Sequence, residues 1–132
     1  MEMPPQFVVG LTARVELHVT DSDTAQALGS GDVPVLATPR VLALAEAATV
    51  ATTARLIPGG ITTVGVRADV RHRAATPIGR TVTAQALLSK VDGHRLHFDV
   101  TVSQGDRIVA EVQVERTVVD RQAFLERAFN AD

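Results

Sequence analysis

The chain has 132 residues, of which 45% are hydrophobic and 21% are charged, a composition typical of a globular domain. A formal net charge of −2 and an aromatic content of 3% argue against a nucleic-acid-binding protein, which relies on basic surfaces and stacking side chains. The chain has no cysteine, which excludes a disulfide framework and thiol chemistry.

The N-terminus lacks the pattern of a signal peptide, and no apolar run reaches the ~18 residues that a membrane span needs. We therefore expect a cytoplasmic protein with no membrane contact. No repeat, low-complexity tract or linker divides the sequence. We expect a single domain over residues 1–132.

The first predicted element is a strand over residues 7–20, where apolar and polar residues alternate from Val9 onwards. Such alternation is typical of a strand with one buried face. Residues 21–36 carry Ser, Gly, Asp and Pro, and they predict a loop with a short helical turn at residues 24–28.

A long helix is predicted next. Thr38 followed by Pro39 is typical of an N-cap and a first helical residue, and Pro58-Gly59-Gly60 ends the segment. Small and apolar residues lie nearly all round this helix, which predicts burial on most sides. Glu46 is the only charged residue between Arg40 and Arg55, so its carboxylate needs a partner or a function.

Four more strands are predicted at residues 61–73, 80–91, 95–102 and 107–119, joined by short turns, with a terminal helix at 121–129. One helix held in a curved antiparallel sheet of about five strands is an α+β arrangement. The strand at 61–73 is expected to present one face to the helix, formed by Val64, Val66, Ala68, Val70 and His72.

Two polar residues therefore lie on faces that should be apolar: His72, and Arg116 in the last strand. Each has a structural explanation, since His72 could bond the backbone at the core edge and Arg116 could extend to solvent. Glu46 could likewise form an ion pair with Arg116. All three could instead share a pocket, where carboxylate and imidazole suit acid–base or nucleophilic catalysis. No metal site is indicated, because His94 and His97 lack a third ligand.

Three segments, VLATPRVLALAEAA (35–48), TTVGVRADVRHRAATPIGRTVTAQA (62–86) and VERTVV (114–119), resemble hotdog-fold acyl-CoA thioesterases and dehydratases. The closer likeness is to the fluoroacetyl-CoA thioesterase-like family. The resemblance implies a single hotdog domain and a catalytic set of Thr38, Glu46 and His72. It further implies that Gly65 helps to hold the thioester carbonyl and that Arg116 belongs to the same substrate-binding region.

By this resemblance Glu46 attacks the thioester or activates water, His72 moves protons, and Thr38 positions a reacting group or only caps the helix. Thr38 and Glu46 are eight residues apart, about 12 Å along a helix, so they do not touch within one straight helix. The resemblance to hotdog proteins implies an obligate dimer with its active sites at the interface. We therefore expect a homodimer or higher homo-oligomer in which Glu46 and His72 come from different chains.

An acyl-CoA substrate needs cations for its phosphates, and Arg71, Arg73 and Arg80, with Arg67, are the candidates; a solvated strand face is the alternative. Coenzyme A is part of the substrate, and no separate cofactor is expected. A non-catalytic acyl-CoA-binding domain and a hydratase or dehydratase remain alternatives. The fluoroacetate-specific member carries a phenylalanine gate before the helix, whereas residues 21–37 here contain no aromatic. Fluoroacetyl-CoA specificity is therefore not predicted.

Overall fold

The computed structural model describes residues 3–4 and 7–131. Its five strands form one antiparallel sheet in the order β1-β3-β4-β5-β2. The elements in chain order are β1 (Thr12–His18), α1 (Ala25–Leu28), α2 (Thr38–Thr53), β2 (Ile61–His72), β3 (Thr81–Asp92), β4 (Arg95–Gln104), β5 (Arg107–Asp120) and α3 (Arg121–Asn130). Strand β2 lies at one edge of the sheet.

Helix α2 packs across the inner face of the sheet, as the alternating strands predicted. The inner positions of the central strand β4 and its neighbour β3 are buried, and they include Val82, Ala84, Ala86, Leu88, Leu96, Phe98, Val100 and Val102. Val41, Leu44, Ala45 and Ala48 of α2 complete this core. The α+β fold with one central helix and a five-stranded sheet is confirmed.

Two predicted boundaries were wrong. Strand β1 begins at Thr12 rather than residue 7, because Gly10 takes a φ of 105° and turns the chain just before it. Thr38 is not the N-cap of α2: Ala37 is the cap and makes no side-chain bond, so Thr38 is the first helical residue. The Thr38 hydroxyl is therefore free to bond elsewhere.

Strand β2 contains a bulge that the sequence pattern did not reveal. Its register against β5 shifts between Gly65 and Arg67. Before the bulge Thr63 and Gly65 face α2, and after it Ala68, Val70 and His72 do so. The expectation that Val64 and Val66 face inward was wrong, since Val66 occupies the bulge and is 46% exposed.

Helix α2 is buried on fewer sides than predicted, because the sheet covers one side of it. Exposed small or apolar residues form a stripe along its other side: Pro39, Ala43, Ala47, Val50 and Ala54. Glu46 borders this stripe and its side chain is 40% exposed. Within the described residues, no helix is long and apolar enough to cross a membrane.

Candidate active site

The start of α2 meets the end of β2 through a hydrogen bond between two predicted site residues. The Thr38 hydroxyl lies 2.7 Å from His72 Nδ1. Strand β2 carries His72 inward opposite the buried Ala110, and this places the ring against the first turn of α2. Because Nδ1 bonds Thr38, Nε2 is the remaining ring nitrogen, and within the described chain it is buried and has no hydrogen-bond partner.

The surroundings of His72 favour the neutral imidazole. Partial burial lowers the pKa of His72 from its ordinary value of 6.5, and the nearby backbone of Ala74 offsets only part of that effect. A neutral ring at neutral pH can accept a proton, as a general base must.

The carboxylate of Glu46 has a cationic partner. Arg116 Nη1 donates to Glu46 Oε2 over 3.2 Å. Burial lowers the pKa of Arg116, while the charge of Glu46 and its hydrogen bond raise it. The ion pair fixes one carboxylate oxygen, and Oε1 has no partner among the described residues. The structure therefore contains the Glu46–Arg116 pair that the sequence left as an alternative to catalysis, and its geometry is compatible with either role.

Arg116 is itself held by Thr63 of β2. Arg116 Nε donates to the Thr63 hydroxyl over 3.0 Å, and Nη2 donates to the Thr63 carbonyl over 3.1 Å. Arg116 is 7% exposed and Thr63 is 8% exposed, so these bonds lie away from solvent. In the strand register Arg116 lies opposite Gly65. Its guanidinium therefore reaches diagonally to Thr63, two residues before Gly65 in β2.

Gly65 is required by close approach rather than by its backbone angle. A Cβ at this position would lie 2.6 Å from Glu46 Oε2 and 3.4 Å from Arg116 Nη1. Every other residue type would therefore collide with the carboxylate. Because β2 is an edge strand, alternate N–H groups of this strand have no partner in the sheet and are available to a ligand.

The structure thus brings the predicted residues together in two clusters. Glu46, Gly65 and Arg116 form one, and Thr38 and His72 form the other. The eight residues from Thr38 to Glu46 separate these clusters by about 12 Å along α2. Within one chain Glu46 and His72 do not meet.

Of the three arginines predicted to bind coenzyme A, Arg71 and Arg73 line one groove of about 370 Å³, and Arg80 lies apart from them. Arg73 contacts Glu111 and borders a groove of about 340 Å³ that contains Thr38 and His72. Arg71 lies on the outer face of the sheet, 3.8 Å from Asp69. Arg80 is exposed in the turn before β3.

The other wall of this groove is the segment between β1 and α2, including Gly31, Asp32 and Val33. Asp23 anchors that segment to α2: its Oδ1 accepts from Arg40 Nε over 3.0 Å, and its carbonyl accepts from Ala37 N–H. Burial raises the pKa of Asp23, but bonds from Thr20 and Arg40 outweigh burial and the pKa is lowered overall. The first turn of α2, with Thr38, is held by these contacts.

Thr63 and Asp23 were missed by the sequence reasoning. Strict alternation carried through Gly65 leaves Thr63 out of the inner face, so it was not singled out. A glycine inside a strand often marks a bulge, and this signal would have turned Thr63 inward. No comparable signal identifies Asp23, which lies in a loop rich in polar residues.

Comparison with known proteins agrees with the fold. The model of the fluoroacetyl-CoA-specific thioesterase family matches residues 19–122. Over 90 residues the chain is 36% identical to a fluoroacetyl-CoA thioesterase of Streptantibioticus cattleyicolor, covering 68% of this chain and 65% of that protein.

Two solved structures extend the likeness to nearly the whole chain. One is a mutant of the thioesterase FlK in complex with acetyl-CoA, with a TM-score of 0.87 and 28% identity over 93% of this chain and 97% of that one. The other is a hot-dog-like protein from Thermanaerovibrio acidaminovorans, with a TM-score of 0.88 and 26% identity over 98% and 96%. The chain has the hotdog fold and belongs to the fluoroacetyl-CoA-specific thioesterase family, whose named members are thioester hydrolases.

Proposed function

We propose that this protein hydrolyses the thioester of a small or medium acyl-CoA at a site built from Glu46, His72 and Thr38. The observation that carries the proposal is the Glu46 carboxylate, held on one oxygen by Arg116 beside the side-chain-free surface of Gly65. Glu46 Oε1 is then left to react, at a position that a planar thioester carbonyl can approach because Gly65 has no side chain. The acetyl-CoA bound to the FlK mutant supports a short acyl group.

In the proposed reaction Glu46 Oε1 attacks the thioester carbonyl carbon, or takes a proton from a water that does so. The Gly65 N–H donates to the developing oxyanion. The coenzyme A sulfur leaves as a thiolate. Neutral His72 Nε2 takes the proton released by the attacking water, directly when water cleaves the acyl-Glu46 anhydride or from Glu46 when Glu46 activates the water, and passes it to the thiolate sulfur, while Thr38 fixes the ring through Nδ1. Coenzyme A enters as part of the substrate, and hydrolysis by this route uses no further cofactor.

The two clusters meet if two chains pair through β2. This edge strand is 12 residues long and lies beside the exposed apolar stripe of α2, a combination that an interface would cover. We propose that the two β2 strands pair antiparallel, with the two copies of Asp69 opposite each other. Because of the bulge, Val66 and Arg67 together take up one position of the register. Gly65, and with it Glu46, then lies opposite His72 of the partner subunit, at the end of the paired region, where the Gly65 N–H is left to the substrate.

Coenzyme A phosphates are assigned to Arg71, Arg73 and Arg80 under the same proposal. Arg73 has the strongest support, because it borders the groove that holds Thr38 and His72. The Arg73 guanidinium can release Glu111 and bind a phosphate instead, because both groups offer two oxygens that accept from its N–H groups.

The proposal is tested by thiol release from a panel of acyl-CoAs. The chain has no cysteine, so a thiol reagent reports only the coenzyme A that is released. We expect Glu46→Gln to lower kcat by at least about 100-fold, since acid–base and nucleophilic groups contribute on this scale. Glu16→Gln, an exposed carboxylate on β1, is the matched control and should leave kcat unchanged.

Two results contradict the proposal. Tight binding of acyl-CoA by the wild type without thiol release indicates a non-catalytic binding domain. Normal turnover by Glu46→Gln with a changed melting temperature indicates that the Glu46–Arg116 pair is structural.

A further inference from the structure

We infer that Thr63 is a positioning residue of this site, which fixes the Arg116 guanidinium and through it the carboxylate of Glu46. The inference rests on the proposed thioesterase function. It concerns a residue that does not touch the substrate.

The first step is that Glu46 depends on one contact. Arg116 Nη1 is the sole hydrogen-bond donor to its carboxylate among the described residues, at 3.2 Å. The Glu46 side chain is 40% exposed and lies on a helix face of small residues, so packing does little to fix its rotamer. The position of the carboxylate is therefore set by the position of the guanidinium.

The second step is that the guanidinium depends on Thr63. Of the three described bonds that Arg116 makes through its side chain, two go to Thr63, one to the hydroxyl and one to the carbonyl. These acceptors bind two different nitrogens of a planar fork, which fixes both its place and its plane. The third bond is the one to Glu46, and its direction follows from the other two.

The third step is that the bulge makes this arrangement possible. Thr63 precedes the register shift at Gly65 and so faces α2 together with Gly65. Gly65 lies between Thr63 and the post-bulge residues, and its missing side chain leaves the path that Arg116 Nη1 takes to Glu46. Thr63, Gly65 and Arg116 therefore act as one support for the carboxylate.

The test compares Thr63→Val with Thr63→Ser. Valine keeps the shape and the backbone carbonyl but removes the acceptor of Arg116 Nε, whereas serine keeps the hydroxyl. We expect Thr63→Val to lower kcat about 10- to 100-fold with little change in KM, because small displacements of a reacting group have effects of this size. Thr63→Ser should stay within about threefold of the wild type in kcat, since it keeps the bond on which the positioning depends.

Two controls separate positioning from stability. Thr52→Val removes another buried hydroxyl, one that donates to the Ala48 carbonyl in α2, and should leave kcat unchanged. In an Arg116→Lys background, Thr63→Val should cause no further loss of kcat, because lysine lacks the fork that Thr63 holds.

Two NMR measurements report the positions of Arg116 and Glu46 independently of whether the protein hydrolyses thioesters. In the wild type and Thr63→Ser we expect slow hydrogen exchange at Arg116 Nε–H and side-chain couplings that show one Glu46 rotamer. In Thr63→Val we expect fast exchange and averaged couplings. Unchanged NMR signals in Thr63→Val, or wild-type kcat in an active enzyme, would overturn the inference. A wild type without turnover but with these NMR differences would overturn only the hydrolysis reaction.

Discussion

At the scale of single residues, some members of the candidate site were recognisable from the sequence and others were not. Glu46 was recognisable from the sequence as a lone charge in an apolar helix, and His72 and Arg116 as polar residues on inner faces. Their partners were less recognisable. Thr38 resembled a helix cap but bonds His72, and Thr63 resembled a surface threonine but holds Arg116. The Glu46–Arg116 pair could be anticipated because both residues were misplaced toward one interior, whereas these two threonine contacts depend on a helix start and a strand bulge that residue type and spacing did not reveal.

Gly65→Ala tests the close approach directly. The added Cβ would lie 2.6 Å from Glu46 Oε2, so the carboxylate must move. Because that atom ends a flexible side chain, the movement costs little stability, and we expect a melting temperature within about 2 °C of the wild type. The displaced carboxylate should lower kcat/KM about 100-fold.

Gly59→Ala is the control for that substitution, since a Cβ there meets no atom within 4 Å. It should change neither the melting temperature nor kcat/KM. Wild-type kcat/KM in Gly65→Ala would show that the position of the carboxylate beside Gly65 does not matter for turnover.

At the level of elements, periodicity located every strand and the long helix, because each buries one regular face. It failed where regularity breaks. The bulge at Val66 reverses which residues face inward in the part of β2 before it, and a two-residue alternation has no place for it. The segment between β1 and α2 was predicted as a loop with a short helical turn at residues 24–28, and α1 confirms the turn, but the tie from Asp23 to α2 through Arg40 was not predicted.

Asp23→Asn should weaken this tie in a pH-dependent way. The folded protein lowers the pKa of Asp23 below 3.8, so the ionised carboxylate stabilises the fold above that value. Its contribution is lost as the pH falls below 3.8 and through the folded pKa. At pH 7 we expect Asn to reduce the free energy of unfolding by about 1–3 kcal/mol, the range for a buried polar group that loses its partner.

Urea unfolding at pH 7 and at successively lower pH measures the effect. The difference between Asp23→Asn and the wild type should shrink as the pH falls below 3.8. Asp21→Asn, an exposed carboxylate two residues earlier, should unfold like the wild type at each pH. A difference that persists undiminished at low pH would mean that Asp23 contributes through its shape and not its charge.

On the scale of the whole molecule, one chain holds the two clusters of the proposed site, and these clusters do not meet. The sequence predicted this separation from the eight-residue spacing of Thr38 and Glu46, because helical rise is fixed by the backbone. It did not predict that His72 would stay with Thr38 in the same chain. A second chain paired along β2 is the simplest way to unite the two parts, since β2 ends one edge of the sheet and its backbone groups that point away from β5 have no partner strand.

Asp69→Cys tests that pairing and its register together. In an antiparallel pair centred on Asp69, the two copies of this residue lie opposite each other with Cα atoms about 4.5–5.5 Å apart, a separation that a disulfide can span. The chain has no other cysteine, so a covalent dimer on mild oxidation can form only through this position. Glu16→Cys, on the exposed face of edge strand β1, controls for random collision and should remain monomeric under the same oxidant. Non-reducing electrophoresis separates the two species.

The cross-linked protein should keep its thioesterase activity, because Asp69 faces away from α2 and the link preserves the proposed interface. Cross-linking of Glu16→Cys but not of Asp69→Cys would place the contact at the opposite edge of the sheet. Glu46 of one chain could not then reach His72 of the partner subunit through β2.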